Sequence, residues 1–191
     1  TTIKQNQSKQ VSLLSGQGIN VKKVYEYRGN TSFYSQQIGR IEGEKIGVYL
    51  GFWNKEENQL GLPLPGGVMR VYQEDSSGML QFSGEDRLKH TPKDEEVRLR
   101  LGNAFDIVGE RTQTDYRRIS DNVHQSEFDI VLRNHKDTDI TVDVVEPLQG
   151  DWEILKSSIK HEKKDAQTAI FHVPVPKNGE AKLNYRVQVK Y

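Results

Sequence analysis

Six residues in the second and third quarters of the chain have side chains that can act as acids, bases or ligands: Glu85, Asp86, His90, Asp106, Arg111 and Asp115. A carboxylate and a histidine that meet in one pocket are the groups that hydrolases use for acid–base catalysis. A hydrolase that uses Asp86, His90 and Asp106 is therefore one hypothesis. It requires these side chains to converge in one concave pocket.

The spacing of these residues argues against a site built within a single strand. On an extended segment Asp86 and His90 share a face, but they are about 13 Å apart, which is too far to ligate one metal ion directly. Glu85 and Asp86 point to opposite faces, so they cannot act as an acid–base pair. The competing interpretation is structural: such carboxylates accept backbone N–H bonds in turns and pair with arginines. We favour it, and keep the six residues as a candidate polar binding surface.

Motifs of other functional classes are absent from the sequence. The five histidines are scattered without a His-Glu-x-x-His or His-x-His pattern, and neither a Gly-x-Ser-x-Gly elbow nor a phosphate-binding loop occurs. Zero cysteines exclude disulfides, thiolate zinc sites and cysteine nucleophiles. We therefore predict no catalytic residue, no metal and no cofactor.

Charge and hydropathy exclude two further classes of partner. Lys plus Arg and Asp plus Glu both number 27, so the chain lacks the cationic surplus that general nucleic-acid binding needs. No apolar run approaches the length that crosses a bilayer, which predicts no membrane insertion by this chain.

Alternating apolar and polar residues predict an all-β fold. The pattern is clear in 46–52, 97–101, 128–132 and 183–189, where every second residue is apolar. Five such short strands after residue 120 have the density of an immunoglobulin-like sandwich. We predict an antiparallel β-sandwich with an N-terminal β region over 1–120, in which 1–10 is a linker, and an immunoglobulin-like lobe over 121–191.

Turn residues and aromatics add detail to this prediction. Asp75-Ser76-Ser77-Gly78 lies between two apolar stretches and predicts a β-hairpin, because Gly78 can adopt the positive φ that closes the turn. Trp152 follows a turn and is expected to anchor the core of the second lobe. Five aromatics of the first half are either core residues or a strip on which sugars stack: Tyr25, Tyr27, Tyr34, Tyr49 and Trp53.

Several short motifs resemble the bacterial domain-of-unknown-function family 4139, whose members are sometimes labelled mucoidy-inhibitor-like. They cover most of the chain and are weakest before residue 59. The resemblance implies a mostly β domain at the C-terminal end of a longer exported protein, and it implies no activity. The motifs are Leu64-Pro65-Gly66-Gly67, Arg70-Val71-Tyr72, Gly84-Glu85-Asp86, His90-Thr91-Pro92, Leu101-Gly102, Ala104-Phe105-Asp106, Glu110 to Asp115, Arg133-Asn134-His135-Lys136, Gly150-Asp151-Trp152-Glu153 and Tyr185-Arg186-Val187.

The function expected from these observations is non-catalytic. We predict a β-sandwich module that mediates protein interaction or assembly in the bacterial cell envelope, in the periplasm or at the cell surface. The envelope location rests on the resemblance alone. A glycan-binding module is the first alternative, and the hydrolase described above is the second.

Overall fold

A computed structural model describes residues 14–191, so the predicted linker over 1–10 lies outside the described residues. Strands make up 66% of the structure, far above the 20–25% of an average domain, and the helical part consists of two short 3₁₀ turns at Thr31–Tyr34 and Glu56–Asn58. The predicted all-β fold is confirmed. Among residues 14–191 no helix has the length and hydropathy of a membrane span.

Eleven strands are described, and their bounds are β1 Lys22–Arg28, β2 Arg40–Trp53, β3 Gly67–Glu74, β4 Leu80–Leu88, β5 Glu96–Ser120, β6 Val123–Asn134, β7 Ile140–Pro147, β8 Asp151–Ser157, β9 His161–Asp165, β10 Thr168–Val175 and β11 Gly179–Lys190. Nine of them form one sheet in the order β8-β11-β6-β5-β2-β1-β7-β10-β9. All neighbours in this sheet are antiparallel except β1 and β7, which are parallel. Two parallel strands need a long connection, and the chain between β1 and β7 provides it because it contains all the strands from β2 to β6.

The sheet folds over so that its two ends face each other. The ring of Phe171 on β10 stacks on the ring of Tyr185 on β11, with centroids 5.0 Å apart, although five strands separate β10 from β11 in the sheet. Strand β5 is long, and its pairing with β2 shifts register at three places, which bends both strands. The apolar core fills the space between the two ends, and its largest fully buried apolar members are Tyr27, Tyr34, Tyr185, Phe128, Phe171, Ile46, Ile107, Ile130, Leu132 and Leu148. The immunoglobulin-like description of this arrangement stays a prediction.

Strands from both sides of residue 120 belong to this one sheet, since β5 pairs with β6 and β1 pairs with β7. The division of the chain at residue 120 stays a prediction.

Trp152, the expected anchor of the second lobe, lies at the margin of the core. It is half-buried, and its indole N–H donates to the carbonyl of Ala166 over 2.8 Å.

Strands β3 and β4 form the predicted hairpin as a separate two-stranded sheet. The carboxylate of Asp75 accepts the N–H groups of Ser77 and Met79, and Gly78 has a φ of +84°. The hairpin packs closely on β5, because a Cβ atom at Gly84 would lie 2.4 Å from the carbonyl oxygen of Leu101. Beneath it lies a second apolar cluster built around Phe52, Leu64, Val97 and Leu99.

Candidate functional site

Glu85, Asp86 and His90, the first three of the six predicted residues, each have a different partner. Asp86 on β4 accepts two backbone N–H bonds of 2.7 Å, one from Arg87 and one from Arg100 on β5. Glu85 forms an exposed ion pair of 3.0 Å with Arg70 across the hairpin. His90 lies past the end of β4, where its Nδ1 accepts the N–H of Gly66 over 3.1 Å.

The later carboxylates are also paired with cations. Asp106 forms an ion pair with Lys136. Burial, the largest single contribution, raises the pKa of Asp106, but the hydrogen bond from Lys136, a backbone hydrogen bond and the charges of Lys136 and Lys23 together lower it by more, so the net direction is downward. Asp115 contacts Arg186 at 3.2 Å and Arg117 at 2.9 Å.

The structure does not bring the six predicted residues together. Within residues 14–191, no hydrogen bond or ion pair joins any two of them, and no group of three or more His, Asp or Glu side chains is placed to hold a metal ion. Each carboxylate instead satisfies a backbone donor or a basic side chain, as the structural interpretation expects.

We predict that Asp86→Asn and Asp106→Asn each lower the melting temperature at neutral pH. The first removes a charged acceptor that holds the hairpin to β5, and the second removes the partner of Lys136. The pKa of Asp106 is depressed in the folded protein, so its contribution is present above the unfolded pKa and is lost as pH falls through the folded value. In thermal melts the deficit of Asp106→Asn should therefore be largest at pH 7 and should shrink as the pH is lowered through the acidic range. Unchanged melting temperatures for both variants at pH 7 would contradict the structural role.

Arg111, the remaining predicted residue, is completely buried on β5. Its NH2 group lies 2.8 Å from Oε1 of Glu146 on β7, and both side chains are 0% exposed. The contact is not aligned as a hydrogen bond, so the two groups are held by charge rather than by a bidentate fork. The guanidinium also lies 5.2–5.6 Å from the ring centroids of Tyr27, Phe33 and Phe128.

Two tyrosine hydroxyls complete this buried cluster. Tyr34 donates to the Glu146 carboxylate, and Tyr185 accepts from NH1 of Arg111 over 3.2 Å. Burial, followed by the charge of Glu146, raises the pKa of both tyrosines well above the ordinary value, so both hydroxyls stay protonated. Burial, the largest single contribution, lowers the pKa of Arg111, but the charge of Glu146 together with the contributions of Tyr185, Tyr34 and Tyr27 raises it by more, so Arg111 stays charged. We assign this cluster to the stability of the core because its ion pair is closed to solvent.

Several large apolar side chains are exposed on one face of the hairpin. We define the hairpin surface as the side chains on its solvent face, namely Val68, Arg70, Tyr72, Glu74, Leu80, Phe82, Glu85 and Arg87. The four apolar members are 51–69% exposed, and the Tyr72 and Phe82 rings meet edge to face at 5.6 Å. Phe105, which is 100% exposed, lines the same cleft as Tyr72. The intervening inward residues Met69 and Val71 pack on the second apolar cluster, which fixes the orientation of the solvent face.

A groove of about 730 Å³ lies on the face of β1, β2, β7 and β10 that points away from the core; we call it the outer groove. Val24, Val145 and Ile170 form its apolar floor, and Trp53, 48% exposed, stands at its side. Of the five aromatics of the predicted sugar-stacking strip, Tyr25, Tyr27 and Tyr34 are buried in the core, and Tyr49 lies under the guanidinium of Arg98. Only Trp53 of the five presents its ring to this groove.

The sequence-based prediction therefore missed both the buried partner of Arg111 and the exposed face of the hairpin. Glu146 does carry a signal, because the period of two that places Val142 and Val144 on the buried face of their strand also places Glu146 there. Comparison with protein-family models, with curated proteins and with solved structures finds no match to this chain.

Proposed function

We propose that the chain is a non-catalytic interaction and assembly module that docks through the hairpin surface on a second copy of itself. The observation that carries this proposal is the exposure of Val68, Tyr72, Leu80 and Phe82 on one face of one hairpin. Soluble monomers rarely expose contiguous apolar patches, and such patches usually mark protein interaction sites. Burial of these side chains stabilises a complex by about 25 cal/mol per Å² of apolar area.

The oppositely charged pair in the middle of the hairpin surface favours a second copy as the partner. Arg70 and Glu85 lie opposite each other on β3 and β4 and are both more than half exposed. When two copies meet about a two-fold axis, each Arg70 can face the Glu85 of the other copy, so the surface complements itself. The hairpin measures about 26 Å by 10 Å, which is smaller than a standard interface, so the association is expected to be weak and reversible.

The resemblance described above supports placing this module in the cell envelope of a bacterium, and that location is part of the proposal. The non-catalytic assignment is supported by the separate partners of Asp86, His90 and Asp106, because acid–base catalysis needs such groups within reach of one substrate atom.

Sedimentation equilibrium of the purified chain tests the proposal. We expect a monomer–dimer equilibrium with a dissociation constant below about 1 mM, which corresponds to an association free energy stronger than about 4 kcal/mol. Leu80→Ser combined with Phe82→Ser should abolish it, whereas Leu155→Ser, which removes a 43% exposed leucine from β8, should leave it unchanged.

Charge reversal distinguishes an ion pair between Arg70 of one copy and Glu85 of the other from the ion pair that these residues form within one hairpin. Arg70→Glu alone and Glu85→Arg alone should each weaken the dimer, because like charges then face each other. An equimolar mixture of the two variants should restore it, although the internal pair is broken in both chains. A wild-type chain that stays monomeric up to about 1 mM, or a Leu80→Ser/Phe82→Ser variant that dimerises normally, would overturn the proposal.

A further inference from the structure

The outer groove is separate from the hairpin surface and combines features that a ligand site needs. Its floor is apolar and lies on strands, while Lys55, Glu57 and Asn58 in the loop after β2 provide a polar wall. Pockets that bind small molecules usually pair a mostly apolar lining with a few fixed polar groups. The groove opens to solvent, so it can hold part of a chain-like ligand while the rest of the chain lies outside.

The polar groups at the base of the groove are fixed in place. Glu26 is only 5% exposed, and its carboxylate pairs with Arg98 and, at 3.4 Å, with Arg28. The guanidinium of Arg98 lies 4.0 Å above the ring centroid of Tyr49, which holds its plane, and the side chain is still 37% exposed. A guanidinium beside a carboxylate presents donors and acceptors side by side, which matches two neighbouring hydroxyl groups of a ligand.

The charge of the groove selects the class of ligand. Five basic and five acidic side chains line it, so the lining has no formal net charge. A groove that binds a polyanion such as single-stranded nucleic acid needs a cationic surplus, and a groove for a basic peptide needs an anionic one. The balanced lining therefore favours an uncharged ligand with many hydroxyl groups.

Trp53 supplies the surface on which such a ligand can stack. Its indole is 48% exposed beside the groove. The Lys55 ammonium lies over one face of the ring, 4.6 Å from the centroid, so a ligand would stack on the opposite face. A sugar ring offers an apolar C–H face to the indole and a rim of hydroxyl groups to the polar base. We propose that the outer groove binds a linear, uncharged oligosaccharide that stacks on Trp53 and hydrogen-bonds to Glu26 and Arg98.

Gly51 allows the groove to be closed without disturbing the fold. It lies on β2 two residues before Trp53, faces the groove, and pairs with Lys22 and Arg98 in the neighbouring strands. A Cβ atom at this position would meet no heavy atom closer than 3.7 Å. Gly51→Val is therefore expected to fold, since valine suits a strand better than glycine does, and to place its side chain in the groove.

Isothermal titration calorimetry with three uncharged hexasaccharides tests the proposal: β-1,4-linked glucose, β-1,4-linked N-acetylglucosamine and α-1,4-linked glucose. We expect at least one to bind, and both Trp53→Ala and Gly51→Val to weaken that binding at least tenfold. Two matched controls should bind as the wild type does. Trp152→Phe changes the other tryptophan, and Gly67→Val changes a glycine whose Cβ position is open.

Two further probes, the acidic hexasaccharide of galacturonate and a hexaglutamate peptide, complete the set. The proposal is overturned if none of the three uncharged hexasaccharides binds, if only an acidic probe binds, or if binding survives in both groove variants. Because the hairpin residues are unchanged in all groove variants, sedimentation of Gly51→Val separates a failure of this proposal from a failure of the proposed assembly.

Discussion

Arg111→Met is expected to lower the free energy of unfolding by about 3–5 kcal/mol, the usual cost when one partner of a buried ion pair is removed. The substitution leaves the carboxylate of Glu146 at 0% exposure without a cation, and it removes the donor to the hydroxyl of Tyr185. Urea denaturation of the wild type and the variant, followed by circular dichroism, measures the difference.

The double variant Arg111→Met/Glu146→Leu should recover most of this loss. Buried ion pairs replaced by apolar residues of similar volume are often neutral or stabilising, and the imperfect alignment of this pair limits its own contribution. Arg118→Met provides the control, because Arg118 is 60% exposed and pairs with the exposed Asp121, so less than about 1 kcal/mol should be lost. A single Arg111→Met variant as stable as the wild type would show that the cluster is not a source of core stability.

Gly29→Ala is expected to destabilise the fold by about 1–3 kcal/mol, the typical cost of overpacking a core. A Cβ atom at Gly29 would lie 2.1 Å from Oε2 of Glu146 and 3.2 Å from NH2 of Arg111. An exposed carboxylate would swing away from the methyl group, but this one is held between Arg111 and the hydroxyl of Tyr34.

Gly67→Ala is the matched control for this prediction, since its Cβ position meets no atom within 4 Å and its φ is not in the left-handed region. Equal midpoints for the two alanine variants in thermal melts would show that the buried cluster rearranges freely, which would also weaken the case for Arg111 as a core cation.

The sequence by itself determined the all-β class and most of the strands. Alternation at 46–52, 97–101, 128–132 and 183–189 is a property of neighbouring residues, because a strand with one buried face repeats every two positions. The hairpin was also predictable, since Asp75 and Gly78 close the turn with their own side chain and backbone. The short strand β9 was missed because His161–Asp165 is almost entirely charged and has no apolar alternation.

Only the tertiary structure decided which polar residues are buried and which aromatics are free. In the sequence Arg111 stands in a polar stretch, and nothing local indicates that it meets Glu146 from β7, whose strand also pairs in parallel with β1. Tyr34 and Glu146 are 112 positions apart, yet their side chains share a hydrogen bond in the core. Alternation predicts that Tyr49 and Trp53 share a face, but only the tertiary structure shows that Trp53 lines the groove and Tyr49 does not. These contacts follow from the order of the strands and from the way the sheet folds over. Both depend on pairing between segments far apart in the sequence, whereas apolar alternation describes only one strand at a time.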